Sequence, residues 1–202
     1  MNQKNCLIIF TRKPELGKVK TRLATDIGNE NALKVYNYLL SYSAGITKNV
    51  NADKHVWYTS EIQNEDSWDS SIFQKHLQPD GDLGAKMKFA FDHAFQSNYE
   101  NVIIIGSDLL DIDETLINQA FKLLNYNEVV IGPATDGGYY LLGLNEMIES
   151  VFLNKSWGSD DVFNETILDV KTKNIHILEY KNDIDYVQDL EQHPELIKLI
   201  SE

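Results

Sequence analysis

The chain has 202 residues, 43% of them hydrophobic, and a formal net charge of −13. That length suits one domain with a substantial core, while the acidic balance excludes a protein that grips nucleic acid through an extended basic face. The single cysteine, Cys6, excludes an internal disulfide and a cysteine-held metal, and no apolar run approaches the roughly 20 residues that span a bilayer.

The chain passes from polar residues straight into the apolar run Cys6-Leu-Ile-Ile-Phe10. This run is too short for a signal-peptide core and has no small-residue cleavage site behind it, so a cytoplasmic location is expected. Residues 5–11 are predicted as the first strand, with Cys6 in the core. Behind them come Arg12, Lys13, Lys18, Lys20 and Arg22, a local cluster of cations in an acidic chain. A strand that enters a Gly-containing basic loop and then a helix is how α/β proteins hold phosphates. Thr11, Arg12, Gly17, Lys20 and Arg22 are therefore candidate nucleotide contacts. The alternative is a solvated basic loop. As loop cations, Lys20 and Arg22 are expected to be exposed and to add little to folding. The spacing G-x-x-x-x-G-K-[ST] of the ATPase phosphate loop is absent.

A helix is predicted over 29–48 and strands over 54–59 and 71–78. Gln78-Pro-Asp-Gly-Asp-Leu-Gly84 then opens a helix over 84–97, whose apolar face is Leu83, Met87, Ala90, Phe91 and Ala94. Glycines at a helix start can press backbone amides against a base or a phosphate. This makes Gln78, Gly81 and Asp82 candidate nucleotide contacts, with a plain loop capped by Asp82 as the alternative. The strand 101–106 is continuously apolar over Val102–Ile105, as in a parallel strand covered on both faces. It ends on Gly106-Ser-Asp108. In open α/β sheets ligands bind beyond the carboxyl ends of strands, which sets Asp108 on the same edge as the basic loop. A carboxylate beside a phosphate repels it unless a cation lies between, and Mg²⁺ or Mn²⁺ can supply that cation. Alternatively Asp108 caps the next helix. Asp113 is the favoured cap of the helix over 114–125, although Asp111-Ile-Asp113 is literally an Asp-x-Asp triplet.

A strand over 127–133 leads into Gly132-Pro-Ala-Thr-Asp-Gly-Gly-Tyr-Tyr140. Asp136 can accept hydrogen bonds from sugar hydroxyls, and Gly137 and Gly138 let backbone approach a ring. An ordinary Asp-Gly turn is the alternative. A strand over 137–144, a helix near 160–171, a strand near 174–180 and a C-terminal helix from about 185, broken at Pro194, complete the chain. Trp157 either stacks on a bound ring or lies half-buried before its helix. The histidines at 55, 76, 93, 176 and 193 show no metal-ligand spacing and read as surface or core residues. The order β-α-β-β-α-β-α-β predicts an open, mixed but mostly parallel α/β sheet with helices on both faces. Without repeat or linker, one domain over 1–202 is expected.

In this order, Phe10-Thr-Arg-Lys-Pro-Glu-Leu-Gly-Lys-Val-Lys-Thr-Arg-Leu23, Gln78…Gly81-Asp-Leu-Gly84, Gly106-Ser-Asp108, the Gly132–Tyr140 segment and Trp157 resemble a bacterial group over nearly the whole chain. Its members are labelled glycosyltransferases of the GT-A type, some associated with arsenosugar biosynthesis. The group is similar to the guanylyltransferases of phospholactate and of the molybdenum cofactor. The resemblance implies a nucleotide-diphospho-sugar transferase fold, Rossmann-like, with nucleotide and divalent metal at the sheet's carboxyl edge. It further implies that Lys20 and Arg22 meet the phosphates, that Gln78 and Gly81 lie near the base, and that Asp108 holds the metal. Asp183-Ile-Asp-Tyr-Val-Gln-Asp-Leu190 resembles an Asp-x-Asp-Thr-Pro-Glu-Asp-Leu segment of related nucleotidyltransferases. The Asp that completes the metal site there maps to Asp185, with Asp183 as the alternative. Tyr186 and Val187 replace Thr-Pro, Leu110 replaces a Pro common after the metal Asp, and Lys86 stands where relatives often carry Arg, keeping charge without the fork.

The expected activity is transfer of a sugar from a nucleotide sugar to a small acceptor, with Asp108, Lys20 and Asp136 as the catalytic set and Asp136, Gly137, Gly138 and Trp157 on the acceptor side. Transfer of a nucleotidyl group from a nucleoside triphosphate to a phosphorylated small molecule uses the same parts. A non-catalytic nucleotide-binding protein is the third reading. Donor, base, acceptor and oligomeric state stay open.

Overall fold

The computed structural model describes residues 4–201. Seven strands form one sheet: β1 (Asn5–Thr11), β2 (Asp53–Tyr58), β3 (Phe73–Leu77), β4 (Asn101–Ile105), β5 (Val129–Pro133), β6 (Tyr139–Leu144) and β7 (Ile175–Ile177). Their order is β3-β2-β1-β4-β6-β5-β7. Only β6 runs against its neighbours, β4 and β5; the other pairings are parallel. The sheet is thus open, mixed and mostly parallel, as the element order predicts.

Alternation along the strands builds two cores. Leu7 and Ile9 face Tyr36 and Leu40 of α2 (Asn29–Thr47) and Phe121 of α4 (Glu114–Leu123). Cys6 and Ile8 face Met87 and Phe91 of α3 (Leu83–Gln96) and Phe163 of α5 (Val162–Asp169). Each such fully buried aliphatic side chain contributes about 1.5–3 kcal/mol. Burial pushes the Cys6 thiol far above the ordinary cysteine range, as befits a core residue.

A third cluster matters more for function. Leu23 of α1 (Thr21–Ile27) and Leu39 of α2 pack with Ile184, with Leu190, and with Leu196, the last on α6 (Pro194–Ser201). This contact folds the end of the chain back onto the first helices and sets residues 183–185 beside the basic loop.

Element boundaries fall close to expectation, with three differences. Residues 21–27 form a helix of their own, separated from α2 by Gly28 at φ 82°, a backbone conformation that glycine adopts without strain. The helix expected from 185 is a short 3-10 turn, Val187–Gln192, followed by α6 with Pro194 as its first residue. Proline fits the first helical turn, where no amide donor is needed. The strand expected over 174–180 is shorter, Ile175–Ile177 on the outer side of β5, with further backbone hydrogen bonds from Leu178 and Lys181 to the same strand.

The scattered histidines form a group. His55 and His76 rings stack at 5.0 Å, His76 stacks on Trp57 at 4.6 Å, and His93 meets both histidines edge-on. His76 Nε2 lies 3.1 Å from His55 Nδ1. Burial, then the neighbouring histidines, lowers the His55 pKa to about 4, and His76 is lowered by burial and His93. Between pH 6.5 and 4 the unfolded chain binds protons that the folded chain excludes, so stability falls as the pH drops through that window. Allowing for solvent screening, His55 contributes about 2 kcal/mol of this loss. Urea unfolding of wild type and His55→Gln at pH 7 and pH 4.5 checks it: the variant should lose less stability between the two. Equal losses would show that His55 is not the group responsible.

Candidate functional site

Strands β1 to β4 lie side by side and parallel in the order β3-β2-β1-β4, so their carboxyl ends share one edge. The connection order reverses between β1 and β4, the place where open α/β sheets form a crevice. A cavity of about 650 Å³ occupies it. Thr11, Thr59, Gln78 and Gly106-Ser107-Asp108, the residues at or just past the four strand ends, form its floor. Arg12, Lys20, Arg22, Lys86 and Asp185 line its walls. Such a volume accommodates a nucleotide-sized ligand.

Lys20 is the pivot. Its Nζ donates to Asp108 Oδ2 and Asp185 Oδ1, each at 3.0 Å. The side chain is 4% exposed, against the expectation of an exposed loop cation. The third hydrophobic cluster brings the 183–185 segment to the basic loop, where Asp185 joins Asp108 in pairing the ammonium. Burial alone would lower its pKa, but Asp108 and Asp185 outweigh burial and hold the ammonium above the ordinary lysine range. Its backbone stands in the left-handed region, φ 45° and ψ 46°, just before α1. Arg22, half exposed, donates to Asp185 Oδ2 at 3.2 Å.

Asp185 is presented by Asp189, a residue the sequence reading passed over. Asp189 Oδ2 accepts the amides of Asp185 and Tyr186, and its Oδ1 accepts Asn182 Nδ2. This reciprocal capping of the 3-10 turn takes the place of a Thr-Pro turn. Asp183 lies deeper. Burial first, then Asp108, raises its carboxyl to about 7. On the sheet side, a Cβ at Gly106 would stand 2.8 Å from Asp108 Oδ1, so glycine lets that carboxylate fold back toward the strand end.

Of the residues singled out from the sequence, Thr11, Arg12, Lys20, Arg22, Gln78, Asp108 and Asp185 meet in the cavity wall. Gln78 Nε2 donates to the Trp57 carbonyl, which leaves its Oε1 for a ligand. The others stand outside the wall. Gly17, at φ 74°, turns the basic loop. Asp82 accepts the Ala85 amide as the N-cap of α3, the alternative its position allowed, and Gly81 is exposed before it. Asp113 caps α4 as expected. Asp136 accepts the Gly138 amide in a local turn, also the plainer alternative, yet its charge is felt at Asp183. Gly137 carries Phe163 on its carbonyl. Trp157 is half-buried against α3: a Cβ on Gly84 would lie 2.7 Å from its ring. That contact accounts for Gly84 and matches the half-buried alternative for Trp157.

The donor set suits a divalent cation. Two carboxylates already converge on one positive group, and Mg²⁺ takes one or two carboxylates plus phosphate oxygens. Among the described residues no group of three or more His, Cys, Asp or Glu is arranged to hold a metal ion. A metal here therefore needs ligand oxygens as well.

A family model described as "Uncharacterized protein conserved in bacteria (DUF2064)" matches residues 43–159, more than half of the chain. The chain belongs to this family. The DUF2064 match takes in Gln78, Asp108, Asp136 and Trp157 but neither Lys20 nor Asp185, which the fold adds to the site. Among solved structures, one from Desulfovibrio desulfuricans G20, described as a "putative nucleotide-diphospho-sugar transferase", is 28% identical. Its TM-score is 0.90, with 98% of this chain and 97% of that one covered. A cytidylyltransferase from Leptospira borgpetersenii is 15% identical with a TM-score of 0.60, covering 99% and 94%. Rv0371c of Mycobacterium tuberculosis H37Rv, in a complex with manganese, is 9% identical with a TM-score of 0.58, covering 96% and 99%. No curated protein matches. The fold is thus that of the nucleotide-diphospho-sugar transferases. Among the described residues no helix is long and apolar enough to cross a membrane.

Proposed function

We propose that the protein is a transferase, and more finely a nucleotide-sugar-dependent glycosyltransferase that acts on a small acceptor with Mg²⁺ or Mn²⁺. One observation carries the reading: a buried lysine bridges two carboxylates in a cation-lined crevice at the sheet's switch point. The 28%-identical neighbour of Desulfovibrio and the resemblance to GT-A enzymes support it. Residues 1–202 would act as one domain in the cytoplasm, with no nucleic acid as partner.

In the transfer, the bond between the sugar's anomeric carbon and the diphosphate breaks, and its electron pair stays on the diphosphate. The acceptor's hydroxyl oxygen bonds to that carbon and releases its proton. Negative charge grows on the leaving oxygens, and fixed cations facing it stabilise the transition state. Arg12 and Lys86 have no ion-pair partner among the described residues and are free to draw the donor in. Lys20 and Arg22 would meet the phosphates, Thr11 and Gln78 the nucleoside end, with Gly17, Gly81 and Asp82 shaping the loops behind them. Asp136, with Gly137 and Gly138, would accept hydrogen bonds from sugar or acceptor hydroxyls, and Trp157 would hold that side in place. Asp108 and Asp185 would hold the metal ion, which when bound offsets the charge of the diphosphate.

The four cations of the wall, Arg12, Lys20, Arg22 and Lys86, favour a second reading, nucleotidyl transfer from a triphosphate with release of pyrophosphate. A thermal-shift panel of nucleotides and nucleotide sugars, with and without Mn²⁺, tests both. A ligand at 100 times its Kd stabilises by about 2.7 kcal/mol. Release of nucleoside diphosphate supports glycosyl transfer, and release of pyrophosphate supports the second reading. Binding without either product from any acceptor supports a nucleotide-binding protein, and no shift with any member overturns all three.

A further inference from the structure

We propose that Lys20 is an exchangeable internal counter-ion, whose ammonium group keeps the place between Asp108 and Asp185 until ligand phosphate draws it away and a divalent cation replaces it. This rests on the reading that those two carboxylates take the metal. The geometry argues for exchange. Lys20 Nζ lies 3.0 Å from one oxygen of each carboxylate, so it engages both groups that would hold the metal. An ammonium and a divalent ion cannot share those carboxylates, because both are positive and both need the same oxygens. Nor can the ammonium simply leave. It is buried, and a buried charge stripped of its partners is strongly unfavourable. Phosphate supplies the replacement anion in the same crevice.

The backbone is poised for such a move. Among the described residues Lys20 is one of three non-glycine residues with positive φ, and the only one of them in the cavity wall. Strained backbone of this kind persists where the surroundings hold it, and here two ion pairs do so. Its position at the start of α1 lets a rotation at this one residue re-aim the side chain while Leu23 stays in the core. Metal and phosphate would then bind cooperatively, each raising the affinity for the other by the same factor. The protein without phosphate ligands would stay metal-poor.

Titration of Mn²⁺ alone into nucleotide-free protein, read by the electron-spin-resonance signal of free Mn²⁺, compares wild type with Lys20→Met. The variant should bind Mn²⁺ at least tenfold more tightly. Equal or weaker binding by folded Lys20→Met overturns the counter-ion, and the metal site stands if Mn²⁺ bound by wild type with inorganic pyrophosphate is lost in Asp108→Asn. Mn²⁺ binding in the presence of pyrophosphate that Asp108→Asn leaves unaffected removes the metal reading itself, and the counter-ion with it. If Lys20→Met does not fold, a crystal structure of wild type with Mn²⁺ and inorganic pyrophosphate decides. Lys20 Nζ should lie on pyrophosphate oxygens and off both carboxylates. A lysine still bridging Asp108 and Asp185, or a site that takes up neither probe, overturns the proposal.

Discussion

Asp108→Asn is expected to abolish the metal dependence of nucleotide binding and to lower turnover by on the order of 10²-fold or more. The carboxylate stands at the end of β4, 43% exposed on its side chain, facing the crevice in which the phosphates would lie. Without a cation it repels them; through one it attracts them. Asn keeps the size of the side chain, so the space opened by Gly106 stays filled. Lys20 keeps Asp185 as a partner, so the fold should survive. Affinity measured with Mn²⁺ and with chelator separates the effects. Wild type should lose affinity in chelator. The variant should bind equally in both, and in chelator better than wild type by about 1 kcal/mol, because one repulsive charge is gone. Asp185→Asn should act in the same direction less strongly, since Asp108 remains. A variant as sensitive to chelator as wild type would remove Asp108 from the metal site.

The parts of this protein legible in the sequence are those governed by local pattern. Val102–Ile105 reads as a buried parallel strand because every residue is apolar; it is buried throughout, parallel to β1 on one side and antiparallel to β6 on the other. Asp113 reads as a cap because a helix-period run follows, and it caps. The sheet edge was equally legible, since Thr11 and Asp108 follow apolar runs and Gln78 follows a predicted strand, and parallel strands bring such closing residues together. Contacts between distant segments were not legible. The pairing of Lys20 with Asp185 depends on the chain's end returning to the first helices through Ile184, Leu190 and Leu196, and no local pattern announces that return. The grouping of His55, His76 and His93 arises because β2 and β3 pair in register and α3 lies over them. Trp157 and Gly84 likewise explain each other only once packed, from 73 positions apart (157 − 84).

Gly137→Ala is expected to cost substantial stability, and Gly138→Ala little. Gly137 sits at φ 89°, where an L side chain costs roughly 1–2 kcal/mol. A Cβ there would also lie 2.1 Å from the Asp160 carbonyl oxygen and 2.3 Å from its Cα. These are backbone atoms, so relief requires the segment before α5 to shift, which also strains the Phe163 amide bonded to the Gly137 carbonyl. Overpacking of this kind costs a further 1–3 kcal/mol or so. The sum, about 3 kcal/mol, corresponds to a drop in Tm of roughly 6–12 °C for a chain of this size. At Gly138 the φ is ordinary, and a Cβ would meet only the Asp136 side chain, at 3.2 Å, which can turn aside. Differential scanning calorimetry of both variants reads the contrast directly. Equal melting temperatures would show that the turn is not wedged against Asp160. The surviving fraction of Gly137→Ala carries the functional half of the test. If the turn shapes the acceptor side through Asp136, its turnover should fall further than its nucleotide affinity, because the cations and carboxylates of the crevice belong to other strand ends and remain in place.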